Sequence, residues 1–299
     1  VSQQPITVAF AGDVHGEPPI AGVLAAGKSP FEFVAPLLSK ADLAVVNLET
    51  TIGAAGTARV KKFVFRSTTS LLSTARDSGI DLVSTANNHS FDYGAAGLAE
   101  TVKQVAAAGL RQIGSGDNAA AAYAPAIFDV RGTNVAIVGL ARVGPSDAGR
   151  ATSSRAGTTD GRDVAASVAA IRAAKAQAPI VVAFLHWGIE LAPCPQLDDR
   201  AFAQALLDAG ASAVIGAHPH VLQGIVTPPG KLVAYSMGNF VFYAHRPIAR
   251  VSGILTVSFA PDGTVTDHQF DPVHLDTQGR PVPVTGPARD RAISDYARL

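Results

Sequence analysis

The sequence predicts an α/β fold on mixed sheets, and two observations carry that prediction. Short β-branched runs alternate with Ala-rich helical patterns through most of the chain, and near the C-terminus the alternation gives way to a hairpin signal. The strand-like runs fall at 6–11, 43–48, 80–85, 135–141, 180–185, 213–216 and 232–236. Between them, Leu98, Val102 and Val105 recur at helical spacing before Gly109, as do Val164, Val168 and Ile171 before Pro179. Phe202 and Leu206 form a third such stripe, stopped by Gly210. The segments 251–259 and 265–275 flank a Pro261-Asp262-Gly263 turn and read as an antiparallel hairpin that closes a sheet.

Composition supports one large core. Of 299 residues, 47% are hydrophobic and 16% charged, so a single domain spanning 1–299 is expected. Residues 142–162 lack periodicity and are expected to form a loop of lid type, while the Pro-rich tail from Thr277 to Leu299 is expected to wrap the surface. Lys and Arg total 24 and Asp and Glu total 24, which leaves no broad positive field for nucleic acid. The lone Cys194 can form neither an intrachain disulfide nor a thiolate cage. No apolar run approaches the ~20 residues that cross a bilayer. With Val1 leading and no charged leader after it, the compartment stays open between cytoplasmic and exported with a leader removed.

The chemistry gathers at strand ends, where α/β folds place ligands. Five of the eight histidines stand there. Asp13 and His15 are two apart, so in an extended segment both point to one side, a metal-ligand pair by geometry. Asn47 and Glu49 repeat the pattern after the second run, and Asn88 and His89 end the third. His186 ends the fifth run, followed by Trp187 and Glu190, and His218-Pro219-His220 ends the sixth. Imidazoles so spaced are poor core residues, because each needs a partner on burial. Together Asp13, His15, Glu49, Asn88, His186, His218 and His220 suffice for two divalent ions that share a carboxylate. Such a donor set suits zinc, manganese or iron.

The ordered motifs Gly12-Asp13, Asn47-Leu48-Glu49, Asn87-Asn88-His89 with Asp92-Tyr93-Gly94, His186-Trp187-Gly188, His218-Pro219-His220 and Tyr235-Ser236-Met237-Gly238-Asn239-Phe240 cover residues 6–243. In them the chain resembles the poly-γ-glutamate capsule-biosynthesis proteins of the CapA/PgsA type, within the calcineurin-like metallophosphatase superfamily. The resemblance implies a four-layer α/β/β/α sandwich with two mixed sheets. It also implies that Asp13, His15 and His220 hold one ion, that Asn88, His186 and His218 hold the other, that Glu49 bridges, and that His89 is the acid/base histidine. Two departures stand out: the bridging group is usually Asp, and many capsule-type relatives lack a histidine at the position of His15.

Two reactions are open to such a site. In hydrolysis of a phosphoester or γ-glutamyl amide, His89 protonates the leaving group. Lys61, Lys62 and above all Arg66 are candidate clamps for an anionic peptide or polymer. In peptide Cα epimerisation, the same ions hold a carbonyl while His89 and a second base exchange the α-proton, with Trp187 and Glu190 at the rim contacting the peptide. A non-catalytic accessory role in polymer biosynthesis is a further alternative. Serine hydrolysis is excluded: Ser236 sits one residue off a nucleophile-elbow pattern, but residues 239–243 read as strand where the elbow needs a helix.

Overall fold

The computed structural model describes residues 4–144 and 146–299, so Val1 of the N-terminus and Pro145 of the 142–162 segment lie outside the described residues. Strand Ile6–Val14, nearly all buried, is the axis of the first sheet. It pairs in parallel with Leu43–Leu48, which continues in parallel to Leu82–Ser84 and Arg111–Ile113. On its other side it runs antiparallel to Val251–Phe259, which forms the expected hairpin with Val265–Leu275. The second sheet has the order Leu222–Val226, Leu232–Met237, Ala213–Ala217, Ile180–His186, Thr133–Ala141 and Ala126–Val130, with parallel pairs at its centre and an antiparallel pair at each edge.

Three apolar layers hold these sheets. Phe10, Val45, Ile137, Phe184 and Leu255 fill the space between the sheets. Behind the first sheet, Ala9, Val46, Leu71 and Val105 pack against the helices that include Thr69–Asp77 and Gly94–Ala107. Behind the second, Val181, Leu185, Ile171 and Leu206 pack against Val164–Lys175 and Leu197–Asp208. Strands buried on both faces read as continuous apolar runs, which is why 180–185 shows no alternation. The result is the four-layer α/β/β/α arrangement with two mixed sheets.

Two peripheral segments are more ordered than their composition suggests. Within 142–162, Gly157–Thr158 pairs with Ser115–Gly116, and Asp160 is held between Arg150 and Arg162. The tail does more than wrap the surface: Pro281–Pro283 adds a strand beside Val265–Leu275, and Pro287–Tyr296 is a helix whose Tyr296 ring stacks on Phe270.

Candidate metal centre

The C-terminal ends of the central strands of both sheets meet, and their polar side chains converge. Gly12 makes the meeting possible, since a Cβ there would lie 1.8 Å from the Gly238 carbonyl oxygen. Two groups result. Asp13, Glu49 and His220 form one; Glu49, His186 and His218 form the other; in each, ligand atoms lie within 4.8 Å of one another. Glu49 belongs to both, as a bridging carboxylate must. Asn88 Oδ1 lies 2.8 Å from His186 Nε2 and so joins the second group.

Glu49 Oε1 is the focal atom. It is buried and accepts no hydrogen bond, yet His220, His186 and His89 bring their Nε2 atoms to 3.7, 3.8 and 3.8 Å from it. His218 Nδ1 is likewise buried and unpartnered. Buried polar atoms without partners are costly, and here they surround a space that a divalent cation fits in both size and donor chemistry. The electrostatics agree. Burial and the neighbouring Asp13 push Glu49 well above the usual carboxylate range. Burial alone would raise Asp13 as well, but His220 and Asn47 hold it below its ordinary value. Burial and nearby imidazoles push His186 well down and His218 to about 3, whereas Asp13 outweighs burial and raises His220.

Backbone irregularities decide which side chains arrive. His218 and His220 both adopt positive φ, 95° and 58°, in the region costly for non-glycine residues. That conformation splits the pair between the two groups, although i, i+2 spacing in a strand would put both on one side. The His218 N–H donates to Asp13 Oδ2 at 3.2 Å and helps to hold the turn.

His15 does not join either group. The pairing of Ile6–Val14 shifts register around Asp13 and Val14, so the simple alternation that aligned Asp13 with His15 breaks there. The His15 ring turns into an aromatic box of Phe65, Phe242 and Tyr243, with the Phe242 centroid 3.8 Å away. Its two nitrogens face the N–H groups of Glu17 at 3.0 Å and Tyr243 at 3.3 Å. The structure therefore brings together Asp13, Glu49, Asn88, His186, His218 and His220 of the expected set, and leaves His15 outside it.

Three further expectations change. Trp187 is 1% exposed and lies behind the second sheet, stacked on Tyr235, to whose carbonyl its indole N–H donates at 2.8 Å. Strand alternation explains this, since His186 faces the site and its neighbour must face away. Arg66 points away from the site too: its guanidinium donates to the Ala54 and Ala55 carbonyls and lies 3.4 Å from the Tyr93 ring centroid. Lys61 sits behind His89, with Nζ 2.5 Å from Asp92 Oδ1. Glu190 and Lys62 do line the cavity beside the metal groups, about 360 Å³ in volume, together with Phe65, His89, His220 and Tyr243.

Sequence reasoning picked out Asn47, Asp92 and Asn239 without seeing that they orient the candidate ligands. Asn47 Nδ2 lies 2.8 Å from Asp13 Oδ1, 3.1 Å from His186 Nδ1 and 3.4 Å from Glu49 Oε2, so one amide ties together ligands of both groups. Asn239 Oδ1 is 2.9 Å from His220 Nδ1 and plays the corresponding part on the other side. Asp92 Oδ2 accepts from His89 Nδ1 at 2.7 Å, which aims Nε2 at Glu49. The signal for Asn47 was its position two residues before Glu49.

Two sheets back to back under helices, with carboxylate and imidazole groups converging at their strand ends, form a fold of metallophosphatase type. The chain belongs to the bacterial capsule synthesis protein family PGA_cap, whose family model matches residues 7–244. PGA biosynthesis protein CapA of Bacillus subtilis is 29% identical over 260 residues, which cover 86% of this chain and 67% of that protein. Capsule biosynthesis protein CapA of Bacillus anthracis is 32% identical over 217 residues, covering 70% and 51%. The chain therefore spans between about half and two thirds of the length of these relatives. Among solved structures, a hypothetical protein from Thermus thermophilus superposes with a TM-score of 0.56 at 19% identity, covering 90% of this chain and 99% of that one. Haemophilus influenzae NAD nucleotidase superposes at 0.55 with 14% identity, covering 99% and 56%. These likenesses concern the fold. Among the described residues, no helix is long and apolar enough to cross a membrane.

Proposed function

We propose that this chain is a metal-dependent hydrolase that binds two divalent ions and cleaves an anionic peptide, a γ-glutamyl amide or a phosphoester. The carrying observation is Glu49 Oε1, a buried oxygen without a hydrogen-bond partner, facing three imidazole nitrogens at 3.7–3.8 Å. Asp13, Glu49 and His220 would hold one ion; Glu49, Asn88, His186 and His218 the other. When bound, such ions supply Lewis-acid polarisation and an activated water near neutral pH.

The chain's own residues do the rest. Asn47 and Asn239 fix the ligand orientations before any ion arrives. Asp92 keeps the His89 proton on Nδ1 and leaves Nε2 to exchange a proton with a leaving group in the cavity. The Phe65 ring lies on the His89 ring, 4.0 Å between centroids and 18° from parallel, and shields it from water. Lys62 at the cavity wall supplies positive charge for an anionic substrate. The names of the Bacillus relatives, which speak of PGA and capsule biosynthesis, support a polymer or peptide as that substrate.

Epimerisation would place Trp187 at the rim against a peptide, and with Trp187 buried, hydrolysis has the better support. The test uses metal-depleted protein reloaded with manganese or zinc and offered bis(p-nitrophenyl) phosphate and γ-glutamyl peptides in heavy water. Metal-dependent cleavage is expected. A deuterium mass shift with an intact backbone would move the assignment to epimerisation, and no reaction with either would favour an accessory role.

A further inference from the structure

Lys61 and Lys62 are consecutive, yet they face different ways. Lys62 lines the cavity; Lys61 reaches behind it to the turn that carries Asn88 and His89. Its Nζ lies 2.5 Å from Asp92 Oδ1, donates to the Asn88 carbonyl at 2.9 Å and stands 3.4 Å from His89 Nδ1. Asp92 is 1% exposed at its side chain. Its Oδ2 is shared between His89 Nδ1 and the Phe65 N–H, both at 2.7 Å, and its carbonyl accepts from the Arg59 N–H at 2.8 Å. Among the described residues, Lys61 is the only Lys or Arg paired with this carboxylate.

We propose that Lys61 is a positioning residue: through Asp92 it locks the cavity wall, residues 59–66, to the turn that presents Asn88 and His89. The physical reason is the cost of burying a carboxylate. Asp92 Oδ1 is buried and makes no hydrogen bond, so its compensation is the Lys61 charge set against it; a desolvated anion is tolerated beside such a counter-charge, and removing one partner of a buried pair leaves a charge that the fold relieves by moving. Without Lys61, Asp92 Oδ1 has no counter-charge. Asp92 then turns toward water and lets go of Phe65 and His89 together. The stacking of Phe65 on His89 makes the two losses one event. Lys61 is thereby set apart from Lys62, whose role is toward substrate. The kinetic arm of the test below rests on the hydrolase reading; the exchange arm does not.

The experiment is amide hydrogen exchange read by mass spectrometry on the manganese-loaded chain, comparing wild type with Lys61→Met, Lys61→Arg and Lys62→Met. Lys61→Met is expected to speed exchange roughly tenfold in peptides covering both 59–66 and 86–93, with strand Ile180–His186 unchanged. Lys61→Arg restores part of the protection, and Lys62→Met exchanges as wild type in both peptides. Should Lys61→Met fail to fold, Lys61→Gln carries the same comparison. Unchanged protection, or loosening of 59–66 alone, overturns the proposal. On any substrate that wild type cleaves, Lys61→Met is expected to lower kcat with KM near wild type, and Lys62→Met to raise KM with kcat near wild type. The reverse assignment also overturns it. If wild type cleaves nothing, the hydrolase reading fails while the exchange result still decides the role of Lys61.

Discussion

The floor and the wall of the cavity are built by different means. The floor consists of Asp13, Glu49, His186, His218 and His220, carried at or just beyond strand ends whose backbone is pinned by sheet pairing on both sides. The wall consists of Lys62, Phe65, Tyr243 and their neighbours on irregular segments. The floor is set by the fold and is preorganised whatever lies above it. The wall depends on a few side-chain ties, above all those that meet at Asp92. On the proposed function, ligand geometry is a property of the sandwich, and substrate choice is a property of loops that can change without disturbing it.

Substitutions on either side test this division. The largest effect is expected at the junction of floor and wall. His89→Ala should lower turnover by about 10²- to 10⁴-fold while the metal content, measured by elemental analysis, stays at the wild-type level. Loss of metal in that variant would make His89 a floor residue. Next comes the floor itself. Asn47→Ala should weaken metal binding by about 10- to 100-fold in a competition titration with a chelator, because one amide orients Asp13, Glu49 and His186. Wild-type affinity would show that the strands alone suffice.

Smaller effects are expected farther out. Trp187→Ala should cost stability, about 3–5 kcal/mol in a denaturant titration, with metal affinity unchanged in the folded fraction. A normal stability curve with a raised KM would return Trp187 to the substrate. The least effect belongs to Arg66→Met: turnover is expected to match wild type, with a stability loss of about 1 kcal/mol from the lost Tyr93 stacking. A tenfold rise in KM would contradict the orientation of Arg66 away from the cavity.

The sheets were legible because β-branched runs bounded by polar residues leave few alternatives, and strand ends are where an α/β sandwich collects ligands. The convergence of Asp13, Glu49, Asn88, His186, His218 and His220 was readable on that ground. What the pattern could not convey is direction at the points where regular geometry stops. His15 follows a register shift and turns into aromatic rings, a change that two-residue spacing does not encode. His218 and His220 diverge because of left-handed backbone at both positions. Trp187 was legible in principle, since alternation from His186 already sends it to the far face. Residues 59–66 have no periodicity, so nothing in their order separated Lys61, which faces inward, from Lys62, which faces the cavity.

Everything functional here requires that Glu49 be shared by two cations. Crystals grown with manganese and measured at an energy where manganese scatters anomalously test this directly. Two anomalous peaks about 3.5–4 Å apart are expected, one beside Asp13 and His220 and one beside His186, His218 and Asn88, with Glu49 reaching both. Well-ordered crystals without a peak at Glu49 would contradict it.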